Sequence, residues 1–188
     1  MKVVVVYESM FGNTKAIAES IARSLTEISK PQLICVADGD MHLPEDVELL
    51  VVGGPTHAWS MSRPNTRRSA PGYSSKPNSG LVLQSGADQA MGVREWLAAQ
   101  AALPISAAAF DTRIKGPWLL TGRASRSIAK ALGRHGAHLV VRPESFLVDR
   151  SSHLVAGEEA RAEAWARQVA SVIGRGDTPS QGRAPSNA

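Results

Sequence analysis

The stretch KVVVVYESMFGNTKAIAESIA (Lys2–Ala22) decides the architecture. Its first part, Val3–Tyr7, is an unbroken run of apolar, mostly β-branched residues. Such a run fits a central strand apolar on both faces, as parallel strands covered by helices must be. A short polar loop follows, and then Ile17, Ile21, Leu25 and Ile28 recur at spacings of four, four and three. That period predicts a helix to about Ser29, with the Thr14 hydroxyl as its cap and Pro31 closing it.

The alternation continues outward from this unit. Leu33–Val36 and Glu48–Val52 read as the second and third strands, the third ending abruptly in GGPTHAW (Gly53–Trp59). The stretch from about 60 to 89 is poorly patterned. Within it, Arg63–Gly80 holds three prolines, four basic residues and no acidic one, and is expected to be a mobile loop or insertion. Periodicity returns in GVREWLAAQ, where Val93, Trp96 and Leu97 share a helical face. Ile105–Phe110 reads as a fourth strand, followed by a helix from Thr121 or Gly122 to about His135. Leu139–Val141 and Phe146–Val148 read as a fifth strand broken around Pro143. A last helix is expected over Glu158–Ile173, acidic in its first turn and stopped by Gly174. Residues 175–188 have no apolar pattern and are expected to form a disordered tail. No internal repeat is visible. The result is a three-layer α/β domain with a parallel sheet, over residues 1–174.

Composition narrows the function classes. The chain has 188 residues, 43% hydrophobic and 20% charged, which is ordinary for one globular domain. Its single cysteine, Cys35, excludes an internal disulfide framework and most cysteine metal sites, and its place in QLICVA suggests a buried thiol. His135 and His138 lack a third ligand nearby in sequence, so no metal is expected. No segment approaches the ~18 apolar residues of a membrane span, and the valine run is too short for a signal peptide. A cytoplasmic protein with no membrane partner is expected. The balance is basic, 21 Lys and Arg against 17 Asp and Glu, a net charge of +4, which permits acidic partners without demanding them.

In parallel sheets of this kind, ligands bind beyond the carboxyl ends of the strands. After the first strand come Ser9, Met10, Phe11, Gly12, Asn13 and Thr14. Hydroxyls, a carboxamide and a glycine at a helix start favour an anion such as a phosphate monoester. The loop has neither the P-loop lysine nor the glycine pattern of a dinucleotide fold. A plain strand-to-helix turn is the alternative. After the third strand, Pro55, Thr56, His57, Ala58 and Trp59 combine a constrained backbone with a tryptophan, which is either a platform for a flat ring or a closure of the core. After the fourth strand, Phe110, Asp111, Thr112 and Arg113 offer a carboxylate that either meets a ligand or caps a turn.

The loops YESMFGNT and GGPTHAW, with the order of elements, resemble the flavodoxin family. The same two loops are similar to the flavodoxin-like modules of flavodiiron proteins and of quinone-reductase relatives. AAAFDTR, LTGRASRSIAKAL and PESFLV resemble an actinobacterial branch of flavodoxin-like proteins. The resemblance implies a five-stranded parallel sheet in the order 2-1-3-4-5 and the cofactor FMN. Ser9–Thr14 would hold its phosphate, Pro55–Trp59 would border the isoalloxazine with Trp59 stacking, and Phe110–Arg113 would form the third flavin-contacting loop. The chain departs from the family pattern in Phe11, which stands where a threonine is common, in the lack of a tyrosine in the third loop, and in its basic charge.

Three functions follow from these readings. One is an FMN-dependent electron carrier serving a redox partner protein. Another is an FMN oxidoreductase acting between a nicotinamide and a quinone, with the basic 63–80 stretch gripping the nicotinamide's phosphates or shaping a substrate pocket. The third is a non-redox interaction module on the same scaffold, using the basic stripe Arg123, Arg126, Lys130 and Arg134. Nucleic acid is not an expected partner, for want of base-reading groups, and the oligomeric state is open.

Overall fold

Val3–Tyr7 forms the first strand, β1, and every residue in it is buried. The structure is a computed structural model describing residues 1–39, 42–75 and 79–176. After β1 come α1 (Asn13–Leu25), β2 (Gln32–Cys35), β3 (Leu49–His57) and β4 (Ser60–Met61). Three short helices follow: α2 (Pro64–Arg68), α3 (Ala70–Ser74) and α4 (Val93–Ala99). The chain then runs through β5 (Ser106–Ile114), α5 (Trp118–Thr121) and α6 (Ala124–Arg134), and ends with β6 (His138–Leu139), β7 (Glu144–Val148) and α7 (Glu158–Gly176).

The sheet order is β2-β1-β3-β5, with β6 and β7 both on the outer side of β5, and all of these pairs are parallel. The two segments β6 and β7 are the predicted broken fifth strand, so the predicted order 2-1-3-4-5 stands. Strand alternation divides the core in two. Val3, Val5, Tyr7, Leu49 and Val51 face α1 and α7, while Val4, Val6, Leu50 and Val52 face α4 and α6. This is the physical content of three layers. On α1, Ile17, Ile21 and Leu25 are completely buried, each contributing about 1.5–3 kcal/mol. Phe110, Phe146 and Trp165 meet edge to face at 6.2–6.3 Å and fill the α7 side. Phe110 also fixes Gly53, because its ring occupies the space that a Cβ on Gly53 would need.

Several local expectations are corrected. Helix α1 begins after Gly12, which sits in the left-handed region at φ 87, and no side chain caps it. Thr14 lies inside the first turn, where its hydroxyl shares a hydrogen bond of 2.8 Å with Thr112. The helix ends at Leu25, short of Ser29. The third and fourth strands run further than their apolar cores: β3 takes in Gly53–His57, and β5 takes in Asp111–Ile114. Those residues are strand, held by the Gly53–Phe110, Gly54–Asp111 and Pro55–Thr112 register. In the 60–89 stretch, expected as loop, residues 60–74 form β4, α2 and α3. The helix expected from Thr121 starts at Ala124, behind the separate turn α5. Helix α7 continues through Gly174 to Gly176, and the predicted tail lies from residue 177 on outside the described residues. Cys35, expected as a buried thiol, is half-buried beside Tyr7, whose phenol is pushed up to about 12, chiefly by burial.

Candidate functional site

The strand order reverses between β1 and β3, and the carboxyl ends of β1, β3 and β5 open there on a cavity of about 320 Å³. Phe11 and Asn13 line one side, Pro55, Thr56, His57 and Ala58 another, and Thr112 and Arg113 a third. These eight are among the residues singled out in the sequence. Ser9, Met10, Thr14, Phe110 and Asp111 are buried and lie outside the lining, as do Gly12 and Trp59.

The loop after β1 is tied down at every step. The Glu8 backbone N–H donates to the Gly53 carbonyl at 3.0 Å, and the Gln84 N–H donates to the Met10 carbonyl at 2.8 Å. Gly12 N–H donates to Ser9 Oγ at 3.1 Å, and Asn13 Nδ2 donates to the Ser152 carbonyl at 2.6 Å. The first bond inside α1 runs from Ala16 N–H to the Gly12 carbonyl at 2.9 Å. The amides of Asn13, Thr14 and Lys15 therefore have no acceptor within the helix. They point out of its N-terminus, where the helix dipole favours an anion. No acidic side chain lies within Ser9–Thr14 to compete with one.

The end of β3 is strained. Ala58 (φ 45) and Trp59 (φ 69) are the central residues of the β3–β4 hairpin, whose pairs are His57–Ser60 and Thr56–Met61. Positive φ at both positions is the two-residue turn that normally takes Asn-Gly. Holding Ala-Trp there costs about 1–3 kcal/mol per residue and has to be supported by its surroundings. The support comes from Gly122, which bridges to Trp59, and from Arg123 N–H, which reaches the Trp59 carbonyl at 3.3 Å. Trp59 remains 65% exposed, so it does not close the core. Burial pushes the His57 imidazole below its ordinary range, and Arg67 acts the same way. A hydrogen bond with the Thr66 backbone opposes this shift.

Asp111 caps a helix. Its Oδ2 accepts the Ser125 N–H at 2.7 Å, while Thr56 Oγ1 accepts the Ala124 N–H at 2.9 Å. Two strands thus cap α6 from outside, and burial pushes the Asp111 carboxyl above the usual carboxylate range. Arg113 is turned away toward the following loop, donating to the Gly116 carbonyl and to Thr121 Oγ1, each at 2.9 Å.

Two features escaped the sequence reading. Thr66 of α2, Ser69 between the two helices, and Ala70 and Tyr73 of α3 also line the cavity. Their spacing of three, one and three is helical, but two prolines and the polar residues hid it. Behind this wall lies a buried charge cluster. Arg67, 3% exposed, donates to Ser62 Oγ at 2.9 Å and pairs with Glu95 at 3.0 Å. Glu8, 4% exposed, accepts the Val93 N–H at 2.9 Å. Burial raises its pKa, opposed by Ser62, the Val93 amide and Arg67. The one sequence signal was a glutamate directly continuing a fully apolar strand.

No protein-family model matches the sequence, and no curated protein does. Solved structures do match it. A flavodoxin from the domain Archaea superposes with a TM-score of 0.61 at 19% identity, covering 93% of this chain and 99% of its own. Flavodoxin 2 of Bacillus cereus gives 0.62 at 17% identity, with 91% and 99% covered. The flavodiiron core of Synechocystis gives 0.60 at 16% identity, covering 94% of this chain and 37% of that one. Identities this low speak to the fold: the chain has the flavodoxin-like fold. Among the described residues no helix is long and apolar enough to cross a membrane.

Proposed function

We propose that the chain is an FMN-binding electron-transfer protein. The observation that carries this reading is the juxtaposition of the free amides at the α1 N-terminus with a cavity at the switch point of the sheet. The residues present suit the cofactor. The phosphate would be held by the Asn13, Thr14 and Lys15 amides, because the Asn13 and Thr14 side chains already bond to Ser152 and Thr112. Gly12 lets the backbone approach closely there. Pro55–Ala58 would border the ring system, with Trp59 at its edge. Tyr73, reaching the cavity from α3, would offer the ring system an aromatic neighbour from a different wall than the third loop. When bound, the flavin supplies the redox chemistry, and the protein supplies placement and electrostatics.

The basic 63–80 stretch keeps a nicotinamide-dependent enzyme as the second reading, since Thr66, Ser69, Ala70 and Tyr73 line the cavity and Arg63 and Arg68 are exposed. One of its arginines is withdrawn: Arg67 is buried against Glu95 and Ser62, and so is not free to grip a phosphate. The test is visible absorption of the purified protein after FMN addition and desalting. Retained flavin bands are expected. Gly12→Ala, which strains the left-handed turn, is expected to weaken retention at least tenfold while the protein stays folded by circular dichroism. Absence of retained flavin in the parent protein would sink the reading. NADPH oxidation with a quinone acceptor, if observed, would replace the carrier with the reductase.

A further inference from the structure

On leaving β5, the chain makes the single turn of α5 and turns back at Gly122, at the same edge of the sheet as the cavity but outside its lining. None of the α5 residues is buried: Trp118 is 43% exposed, Leu119 71% and Leu120 72%. The turn is nevertheless firmly placed. Arg113 holds Gly116 and Thr121 from beneath, Lys115 N–H donates to the Val148 carbonyl at 2.8 Å, and Gly122 bridges to Trp59. Two adjacent leucines are thus presented to solvent on a supported, convex tip.

The tip is also basic. From Thr112 to Val141 the chain carries Arg113, Lys115, Arg123, Arg126, Lys130 and Arg134, and no Asp or Glu. The Arg123 and Arg126 guanidinium groups lie over the Trp118 ring, at 5.6 and 4.8 Å from its centroid. Arg126, Lys130 and Arg134, four residues apart, form the exposed face of α6 behind the tip.

We propose that this tip is an interfacial anchor for an anionic lipid surface. Leu119 and Leu120 enter the boundary between headgroups and acyl chains, and Trp118 sits at headgroup level. Lys115, Arg123 and Arg126 meet the lipid phosphates. Consecutive residues of a helix point about 100° apart. Leu119 and Leu120 therefore spread their apolar surface over a wide arc, which a fluid bilayer can surround on both sides. Leu is under-represented among protein hot spots, and here two leucines are the most exposed large hydrophobic residues of the tip. Apolar residues with Trp beside basic charge are the signature of an element lying in the membrane interface. Neither part suffices alone, since stable attachment takes two signals. The anchor lies on the membrane and spans nothing. It does not rest on flavin binding.

The test is co-sedimentation of the full chain, as purified, with vesicles of phosphatidylcholine alone or with phosphatidylglycerol added. At equal lipid, binding to the anionic vesicles is expected to exceed binding to the neutral ones by at least about tenfold. Leu119→Asp with Leu120→Asp should remove most of that binding. Lys115→Glu with Arg126→Glu should bring it down to the neutral level. Both pairs are exposed, and an unchanged melting temperature would show that the fold is intact. Lack of binding to anionic vesicles at millimolar lipid would overturn the proposal. So would binding insensitive to the leucine pair, which is mere adsorption. Dimerisation in sedimentation velocity that the leucine variant abolishes would assign the tip to a second copy and overturn it. Retention on immobilised poly-glutamate in place of vesicles, lost in both variants, would assign it to an acidic protein instead.

Discussion

The chain leaves β1 and β5 at the same edge of the sheet, and the two exits are built in opposite ways. After β1, side chains and backbone are drawn inward: Glu8 and Ser9 are buried, Met10 is bonded to Gln84, and Asn13 is bonded to Ser152. What remains outward is backbone amide. After β5, a buried aspartate caps the next helix and an arginine props the turn from below, while Trp118, Leu119 and Leu120 are left in water. The first exit is a loop held in shape by hydrogen bonds from within the domain. The second is a projection whose two leucines are left out of the core. Mutations should therefore act on stability at the first and on association alone at the second.

The largest effect is expected at the charge cluster behind the first exit. Arg67→Ala leaves Glu8 and Glu95 without their cation and should cost about 3–5 kcal/mol in urea unfolding. A loss below about 1 kcal/mol would mean that the cluster is open to water. Next comes Gly53→Ala, whose methyl would meet the Phe110 ring and should cost about 1–3 kcal/mol by overpacking. The strained hairpin tip predicts the opposite sign. Ala58→Asn with Trp59→Gly matches the preferred turn and should stabilise the protein by about 1–2 kcal/mol. The same change should weaken FMN retention if Trp59 borders the flavin.

Asp111 gives a pH signature. Its carboxyl titrates above the ordinary value of 3.8 in the folded protein, because burial disfavours the ionised form. The stability it confers is full below about that value and is lost as pH rises through the raised folded pKa. Thermal melts of the parent and Asp111→Asn across that window should diverge with rising pH, the variant gaining. Parallel curves would show that Asp111 is solvated. The smallest effect belongs to the second exit: Leu119→Asp with Leu120→Asp should move stability by no more than about 0.5 kcal/mol.

Much of this was legible from local pattern. The β-branched run of β1, the four-residue spacing of α1 and the break at Pro143 placed the elements and their order, because each is a short-range property of the chain. The exposed amides at the start of α1 were legible for the same reason, since a strand followed by Gly12 and a helix exposes amides wherever it occurs. The 60–74 segment was not, because its helical face is polar and its prolines read as breaks. Thr14 was readable as a polar group at a helix start and Asp111 as one at a strand end, but not as partners of Thr112 and Ser125.

What the sequence by itself determined, then, is the alternation of strands and helices and the donor-rich loop after β1, both fixed by periodicity and backbone chemistry within a few residues. Only the tertiary structure decided which polar groups face the cavity and which are consumed inside. Thr14 and Thr112 are 98 positions apart, and Asn13 and Ser152 are 139 apart. It also brought Tyr73 across to the cavity and left Leu119 and Leu120 outside the core. Each of these depends on which strands lie side by side, and that pairing is settled by burying two apolar clusters at once, which no local pattern records.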